Sequence, residues 1–365
     1  MSTPSPVASL GLTAWRSSNN VKSIALLLAF PVLLLLLVGV TFFFFGLFTG
    51  AGQTAYGFGA WQEFGIRPVL GTGSPFDLAV SAVVAWWPIV VGIAVVWVLI
   101  GYLFNDSIIH MATGAVAVTR QEQPQLYNLL ENLCISRGLA TPRLYIIDSE
   151  VMNAYASGID DKSYAITVTS GLLATLNRDE IEAVLAHELT HIIDRDTRLL
   201  IITIVFVGMI SFLAQLLWRS IRFAAFTRGR SRKSGGGVII LVLIAAVVMA
   251  IGYLLALVLR FALSRRRELL ADAGSVELTK NPDALIAALL KISKNAELPH
   301  VPSEVRQMFF ENPPSFFDLG GLFATHPSIE KRVRVLEQLG GRLPAEDAAP
   351  QADGSPPHSH PGPWG

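Results

Sequence analysis

The stretch AHELTHIIDRD, residues 186–196, contains three side chains that could form a hydrolytic metal site. His187 and His191 are four residues apart, so on a helix both imidazoles lie on one face and can bind one ion. Glu188 lies about 100° further around such a helix, close enough to act on a water molecule at that ion. In the H-E-x-x-H motif of zinc sites, the two histidines bind the ion and the glutamate acts as the general base. The alternative is a pair of surface histidines on an amphipathic helix.

The segment SRRRELLADAG offers further acidic ligands. A catalytic zinc ion usually has three protein ligands and one open position. Glu268 is the predicted third ligand, and a salt bridge with the adjacent arginines is the alternative. Asp272 follows four residues later on the same helical face. It is predicted to accept the second ring N–H of a zinc-bound histidine, unless it is simply a solvated helix residue.

The composition indicates that this chain is a membrane protein. Of 365 residues, 52% are hydrophobic and only 15% are charged, and the mean hydropathy is +0.50. Soluble domains carry about 25% charged residues. Net charge is zero, which gives no support for nucleic-acid binding, and the single cysteine, Cys134, excludes an intramolecular disulfide.

Four apolar segments without charged side chains have the about 20 residues that cross a bilayer. They run from Ser23 to Phe48, from Leu78 to Phe104, from Leu199 to Trp218 and from Val238 to Leu259. The alternative is a set of buried core helices in a large soluble protein. The first segment is too long for a cleavable signal peptide.

The polar regions between and after these segments predict mixed α/β structure. PQLYNLLENLCISRGL has helical spacing, and RLYIID and SYAITVTS are typical of short strands. A helix is predicted to begin at Asn177, which forms a capping box with Glu180, and another begins near Pro282. If the helices carrying His191 and Glu268 continue into the third and fourth apolar segments, both ligands lie about 12–14 Å from the membrane on one side.

These motifs resemble one known family. AHELTHIIDRD, an apolar hairpin and SRRRELLADAGSVELT are together similar to the HtpX family of membrane-bound zinc metalloproteases, which are gluzincins related to the type I CAAX prenyl endopeptidases. The resemblance extends over about residues 20–340. It implies that His187, His191 and Glu268 bind one zinc ion per chain. It also implies that Glu188 takes a proton from water and delivers it to the leaving amine.

Two further motifs resemble substrate-binding segments of that family. MNAYASG is similar to its Asn-Ala-Phe-Ala edge strand, with Tyr155 in place of the usual Phe. The resemblance implies that Asn153 contacts the substrate or the oxyanion and that Ala154 offers backbone groups to an extended peptide. A turn residue is the alternative for Asn153.

The segment ATHPSIEKRV is similar to the family's late His-Pro motif. The resemblance implies that His326 and Arg332 stabilise the developing oxyanion. The alternatives are a loop histidine held by Pro327 and an ordinary surface charge on a helix.

The predicted fold is an integral membrane protein, mainly α, in which four transmembrane helices accompany a gluzincin-like α/β metalloprotease domain with a short edge-strand sheet. The predicted order is an N-terminal segment, two transmembrane helices, the first part of the protease domain, a transmembrane or re-entrant hairpin, the second part of the domain and a tail. The ranges are 1–22, 23–104, 105–198, 199–259, 260–342 and 343–365. The tail is rich in Pro, Gly and Ala, a composition typical of disorder.

The predicted function is a membrane-embedded zinc endopeptidase with polypeptide substrates, and the resemblance implies quality control of misfolded or damaged membrane proteins. Two alternatives remain. In a site-2-type intramembrane protease the H-E-x-x-H lies inside an apolar segment, whereas LNRDEIEAV precedes it here. An inactive scaffold or chaperone-like subunit with a structural zinc would not require Glu188.

Charges around the apolar segments give conflicting orientations. The loop 219–237 holds six basic residues and no acid, which favours the cytoplasm. If all four segments span, the basic residues before the first segment and after the fourth lie on the catalytic side and favour a cytoplasmic catalytic side. These residues are Arg16, Lys22, Arg265, Arg266 and Arg267. The family resemblance implies a cytoplasmic zinc domain on a bacterial inner membrane, which is the predicted orientation. A re-entrant third and fourth segment would remove the conflict.

Overall fold

The computed structural model describes residues 12–49, 65–227, 246, 250, 266–294, 308–310 and 327–343. In chain order the described elements are α1 (Leu12–Thr49), α2 (Pro75–Thr113), β1 (Val116–Ala117), α3 (Pro124–Ile135), β2 (Arg143–Ile147), β3 (Ala154–Ser157), β4 (Ala165–Thr169), α4 (Ser170–Thr175), α5 (Arg178–Ile193), α6 (Asp196–Thr227), α7 (Arg266–Thr279), α8 (Pro282–Ile292) and α9 (Ile329–Gln338).

Three of the described helices are long and apolar enough to cross a membrane: Asn19–Leu47 in α1, all of α2, and Asp196–Leu213 in α6. The fourth predicted segment, 238–259, lies outside the described residues apart from positions 246 and 250. The described part of the chain is therefore mainly helical with three candidate spans and a small mixed sheet. The helix α2 also runs beyond the predicted segment end at Phe104, as far as Thr113.

Close packing joins these three helices. The rings of Phe30 in α1 and Phe206 in α6 stack with centroids 4.3 Å apart, and Trp97 Nε1 donates to the Val205 carbonyl at 2.9 Å. Gly101 in α2 permits this approach, since a Cβ there would lie 2.6 Å from the Val205 side chain. Many outward apolar side chains of α1 and α2 are exposed, as expected of surfaces that face lipid.

The sheet has the order β1-β2-β4-β3, so β3 is an edge strand. β2 and β4 pair in parallel, whereas β1 and β3 are antiparallel to their neighbours. The predicted strands are confirmed, including the edge strand in MNAYASG. Tyr155 of that strand, where the resemblance implies Phe, forms a 3.0 Å hydrogen bond between its hydroxyl and that of Thr113 at the end of α2.

The helix α5 carries the H-E-x-x-H residues and begins as predicted. Asn177 accepts from the Glu180 backbone, and the Glu180 side chain accepts from the Asn177 backbone, so the capping box is formed. The expected continuation of this helix into the third apolar segment is wrong. Arg195 has φ 60°, in the left-handed region, and the chain turns there between α5 and α6.

Candidate metal centre

The packing of α7 on α5 brings the third predicted ligand to the two histidines. Ser275 Oγ donates to the Ala183 carbonyl at 2.7 Å. Gly274 lies against Thr190, and a Cβ on that glycine would lie 2.4 Å from Thr190 Cγ2. A glycine at this position therefore lets the two helices approach closely enough for Glu268 to reach the face that carries both imidazoles.

Three donor atoms converge at this contact. His187 Nε2 and His191 Nε2 are 3.2 Å apart, and Glu268 Oε2 lies 3.6 Å from the first and 3.8 Å from the second. Bonds of about 2.0–2.1 Å in a tetrahedral zinc site separate neighbouring donors by about 3.3 Å. The nitrogen and oxygen donor set and its spacing thus fit a zinc ion, and all three residues are buried.

The other oxygen of Glu268 has a different partner. Arg267 Nε lies 3.2 Å from Glu268 Oε1, so the salt bridge considered as an alternative coexists with the ligand geometry. Because the two oxygens face different groups, Oε2 stays directed at the histidines.

An aspartate lies against the second nitrogen of each imidazole. Asp272 Oδ1 is 3.0 Å from His187 Nδ1, which is the contact expected from the sequence. Asp196 Oδ2 is 3.0 Å from His191 Nδ1. A carboxylate at Nδ1 holds the proton there and leaves Nε2 available to a metal ion.

The sequence interpretation missed Asp196. This residue lies five positions after His191 and directly after the left-handed residue Arg195. Its contact with the His191 imidazole therefore depends on the turn and cannot be predicted from helical spacing. An acidic residue at the very start of an apolar segment was the available signal, because an unpaired charge there is costly.

Arg332 lies behind the histidines and is completely buried. Its guanidinium donates to both oxygens of Asp272, at 2.9 and 2.7 Å, and to the Phe310 carbonyl at 3.2 Å. Burial raises the pKa of Asp272, but the charge of Arg332 and the hydrogen bonds from His187 and Arg332 outweigh it, so the pKa is lowered overall. Asp272 is therefore held as a carboxylate. The predicted oxyanion contact of Arg332 stays a prediction.

Glu188 adjoins the three donors and is almost fully buried, at 1% exposure. Burial raises the pKa of Glu188 to about 7, with His191 lowering it and Glu268 raising it further. A carboxyl group with a pKa near neutrality can both accept and return a proton, which suits a general base.

The edge strand β3 is paired on its outer side by another part of the chain. Phe309 forms an antiparallel bridge with Tyr155, and the Phe310 amide donates to the Ala154 carbonyl at 2.8 Å. The Phe310 ring stands edge-on to His187 with centroids 4.7 Å apart. The cavity left beside Glu188 has a volume of about 10 Å³, room for about one water molecule.

The remaining predicted residues divide into two groups. Asn153 is buried beside β3, where its Oδ1 accepts from the Ala154 amide at 2.9 Å and its backbone pairs with Thr169. His326 lies outside the described residues, so its predicted role stays untested. The structure brings together His187, Glu188, His191, Glu268 and Asp272, with Arg332 behind them, whereas Asn153 and Ala154 lie at the edge strand.

Comparison with known proteins identifies relatives of this chain. The model of peptidase family M48 matches residues 120–339. Two proteins from Bacteroides fragilis, both named protease HtpX homolog, are 43% identical over 336 residues, which is 90% of this chain and 99% of theirs. A protease HtpX homolog from Dictyoglomus turgidum is 39% identical over 242 residues, 66% of this chain and 78% of that protein.

Among solved structures, the crystal structure of Ste24p from S. mikatae matches with a TM-score of 0.45 at 18% identity, covering 89% of this chain and 67% of that one. The family match includes the whole of α5, α7 and α9, and hence every residue of the metal centre. The chain therefore belongs to peptidase family M48 and is a membrane-bound zinc metalloendopeptidase.

Proposed function

We propose that His187, His191 and Glu268 hold one zinc ion per chain and that Glu188 is the general base for peptide-bond hydrolysis. The observation that carries this proposal is the convergence of the three donor atoms beside a buried carboxylate. The chemistry supplied by the bound ion is Lewis acidity, which polarises the scissile carbonyl and makes water easier to deprotonate.

The chain's own residues account for the proton transfers and the alignment. Glu188 accepts a proton from the attacking water and delivers it to the leaving amine. Asp272 and Asp196 hold His187 and His191 in the tautomer with a free Nε2. His326 and Arg332 are the candidates for stabilising charge on the carbonyl oxygen, as the family resemblance implies.

The test compares the wild type with Glu188→Gln and Glu268→Ala, each purified as the full chain in detergent. We expect Glu188→Gln to keep its zinc and to lose at least about 100-fold in kcat on unfolded casein, because general-base catalysis is removed. Glu268→Ala should lose both zinc and cleavage. Removing the metal from the wild type with a chelator should abolish cleavage, and added zinc should restore it. Wild-type turnover by Glu188→Gln would disprove the assignment.

We further propose that a substrate binds as an extended strand along β3, in the position that residues 308–310 occupy. Main-chain hydrogen bonds to an edge strand accept many sequences. Ala154 offers its carbonyl there, because its present partner is the Phe310 amide rather than a neighbouring sheet strand. Since the space beside Glu188 is too small for a peptide, substrate entry requires the 308–310 segment to move aside.

A reversible cross-link tests this mode of binding. The hydrogen bond joins the residues that flank Tyr155 and Phe309, so these two form a non-hydrogen-bonded pair with Cα atoms about 4.5 Å apart, which a disulfide can span. Oxidation of the Tyr155→Cys/Phe309→Cys double variant should reduce casein cleavage at least about tenfold by excluding the competing strand. Reduction should restore it.

The controls for the cross-link are the two single variants, whose cleavage should not respond to oxidation. The native Cys134 is buried and burial raises the pKa of its thiol to about 11, so it does not compete. Undiminished cleavage by the fully oxidised double variant would show that substrates do not use this edge.

The substrates we propose are misfolded or damaged membrane proteins, cleaved in segments near the bilayer, with the zinc domain on the cytoplasmic side of a bacterial inner membrane. The printed name of the relatives supports polypeptide substrates, and the junction of the apolar helices with the metal centre supports cleavage near the bilayer. The start of α1 and the start of α6 lie together beside His191. A peptide bond must therefore approach within a short distance of the lipid surface to be cut.

A further inference from the structure

The N-terminal membrane helix reaches the metal centre through one side chain. Asn19 in α1 is 1% exposed. Its Nδ2 lies 2.7 Å from Asp196 Oδ1 and 3.1 Å from the Asp194 carbonyl. Both partners accept only, because the first is a carboxylate and the second a carbonyl, and a side-chain amide has two N–H donors to give. Because both partners are acceptors, the amide nitrogen of Asn19, and not its oxygen, faces them.

The two partners lie on opposite sides of the turn that ends α5. Asp194 is the last residue before the turn, Arg195 has the left-handed φ of 60°, and Asp196 follows it. A left-handed conformation is unfavourable for a non-glycine residue unless its surroundings hold it. The Asn19 amide bridges this turn, and so it sets where the Asp196 carboxylate lies.

Asp196 uses its two oxygens in different directions. Oδ1 accepts from Asn19, and Oδ2 lies 3.0 Å from His191 Nδ1. The chain of contacts thus runs from α1 through one carboxylate to an imidazole of the proposed zinc site. Asp272 serves His187 in the same way but is oriented by Arg332 from α9, so the two histidines are oriented from different parts of the chain.

We infer that Asn19 is a positioning residue for metal binding, through which the first membrane helix helps to set the zinc affinity of His191. The inference rests on the proposed function, because it requires His191 to be a zinc ligand. Removal of an outer carboxylate partner of a zinc-bound histidine typically weakens zinc binding about 10- to 100-fold. Removal of Asn19 takes away one hydrogen bond from that partner, so a smaller effect follows, about 3- to 10-fold.

The neighbouring residue gives a matched control. Asn20 also bonds to this turn, accepting from Arg195 Nη1 at 3.2 Å, but the contact is exposed and does not involve Asp196. Asn20→Ala removes the same side chain from the same helix without touching the carboxylate. A purely structural role of the α1 contact predicts similar consequences for both substitutions.

The experiment measures zinc dissociation constants by competition with a chelator, on full-length protein in detergent. The proteins are the wild type, Asn19→Ala, Asn19→Asp, Asn20→Ala and Asp196→Asn. We expect Asn19→Ala to weaken zinc binding about 3- to 10-fold and Asn20→Ala to stay within about twofold of wild type. Asn19→Asp should weaken it more, since it sets a second carboxylate against Asp196. Thermal unfolding of the zinc-free proteins separates these effects from general destabilisation.

The outcomes are distinguishable. A wild-type zinc affinity in Asn19→Ala beside a weakened Asp196→Asn overturns the role of Asn19 and leaves the zinc site intact. Wild-type protein that holds no zinc overturns the proposed function instead. If Asn19→Ala does not fold, Asn19→Leu, which is similar in size but has no hydrogen-bond donor, takes its place. Zinc affinity equal to wild type in that variant counts equally against the inference.

Discussion

At the scale of single residues, the metal centre depends on groups that lie behind its proposed ligands. Each imidazole has an aspartate on its Nδ1, and one aspartate is itself held by a buried arginine. Arg332 also lies 4.7 Å from the centre of the Phe310 ring. This one guanidinium therefore contacts both His187's carboxylate partner and the segment that covers the cleft.

Arg332→Ala is expected to destabilise the protein strongly. The substitution leaves Asp272 as a buried carboxylate without its counter-charge, and loss of one partner from a buried pair costs about 3–5 kcal/mol. The measurement is thermal unfolding of the zinc-free protein in detergent. Arg334→Ala is the matched control, because Arg334 lies exposed on the same helix, and it should change stability by at most about 0.5 kcal/mol. Equal melting temperatures for the two variants would contradict a buried ion pair at Arg332.

At the scale of elements, the contact between α5 and α7 is what assembles three ligands from two distant parts of the chain. α5 supplies both histidines at helical spacing, but only the close approach at Gly274 and Thr190 brings Glu268 to them. The hydrogen bond from Ser275 to the Ala183 carbonyl fixes the register of the two helices. Small changes in this interface therefore act on metal binding directly.

Gly274→Ala is expected to reduce zinc affinity about 10-fold or more, since the new Cβ would overlap Thr190 and push Glu268 away from its position. The same substitution at Gly92 in α2 is the control, because nothing lies within 4 Å of a Cβ there. Competition with a zinc chelator measures both variants. Zinc binding by Gly274→Ala that matches Gly92→Ala would indicate that the helices tolerate the extra methyl group and that the close approach is dispensable.

At the scale of the whole molecule, the catalytic unit is joined to the membrane helices at several points on one side. Tyr155 of the edge strand bonds to Thr113 at the end of α2, and Asn19 of α1 bonds to Asp196 at the start of α6. The residues before α2 therefore belong to the opposite end of these helices. If the catalytic unit is cytoplasmic, as we propose, the residues just before α2 lie on the opposite side of the membrane from it.

Labelling of introduced cysteines tests the orientation. In a Cys134→Ala background, Val69→Cys before α2 and Ile135→Cys at the end of α3 are both at exposed positions. We expect a membrane-impermeant maleimide to label Val69→Cys in intact spheroplasts and Ile135→Cys only after permeabilisation. The reverse pattern would put the catalytic unit outside the cytoplasm.

A third position addresses the basic loop. Ser234→Cys lies in the segment 219–237 whose charges conflict with the other flanks. If the maleimide labels Ser234→Cys in intact spheroplasts, as expected for Val69→Cys, the third apolar segment crosses the membrane against the positive-inside tendency. If it labels Ser234→Cys only after permeabilisation, as expected for Ile135→Cys, the third and fourth segments are re-entrant.

Local spacing along the chain was enough to predict several features of the site. The pair His187 and His191, the base Glu188 and the capping box at Asn177 all lie within one helix, where the 3.6-residue period fixes relative directions. The apolar segments and the strands in RLYIID and SYAITVTS follow from composition and short patterns, whereas the strand in MNAYASG was implied by the family resemblance. Glu268 and Asp272 were also reached, because their own helix presents both on one face.

Contacts between residues that are far apart in the chain come from the packing of the folded protein. Asn19 and Asp196 are separated by 177 positions, and Arg332 and Asp272 by 60. No periodicity relates such pairs, since their contact depends on how helices pack and where a left-handed turn redirects the chain. The pairing of residues 308–310 with β3 is of the same kind. The family resemblance implied that β3 is an edge strand, but its partner is selected by the fold that brings a free strand to it.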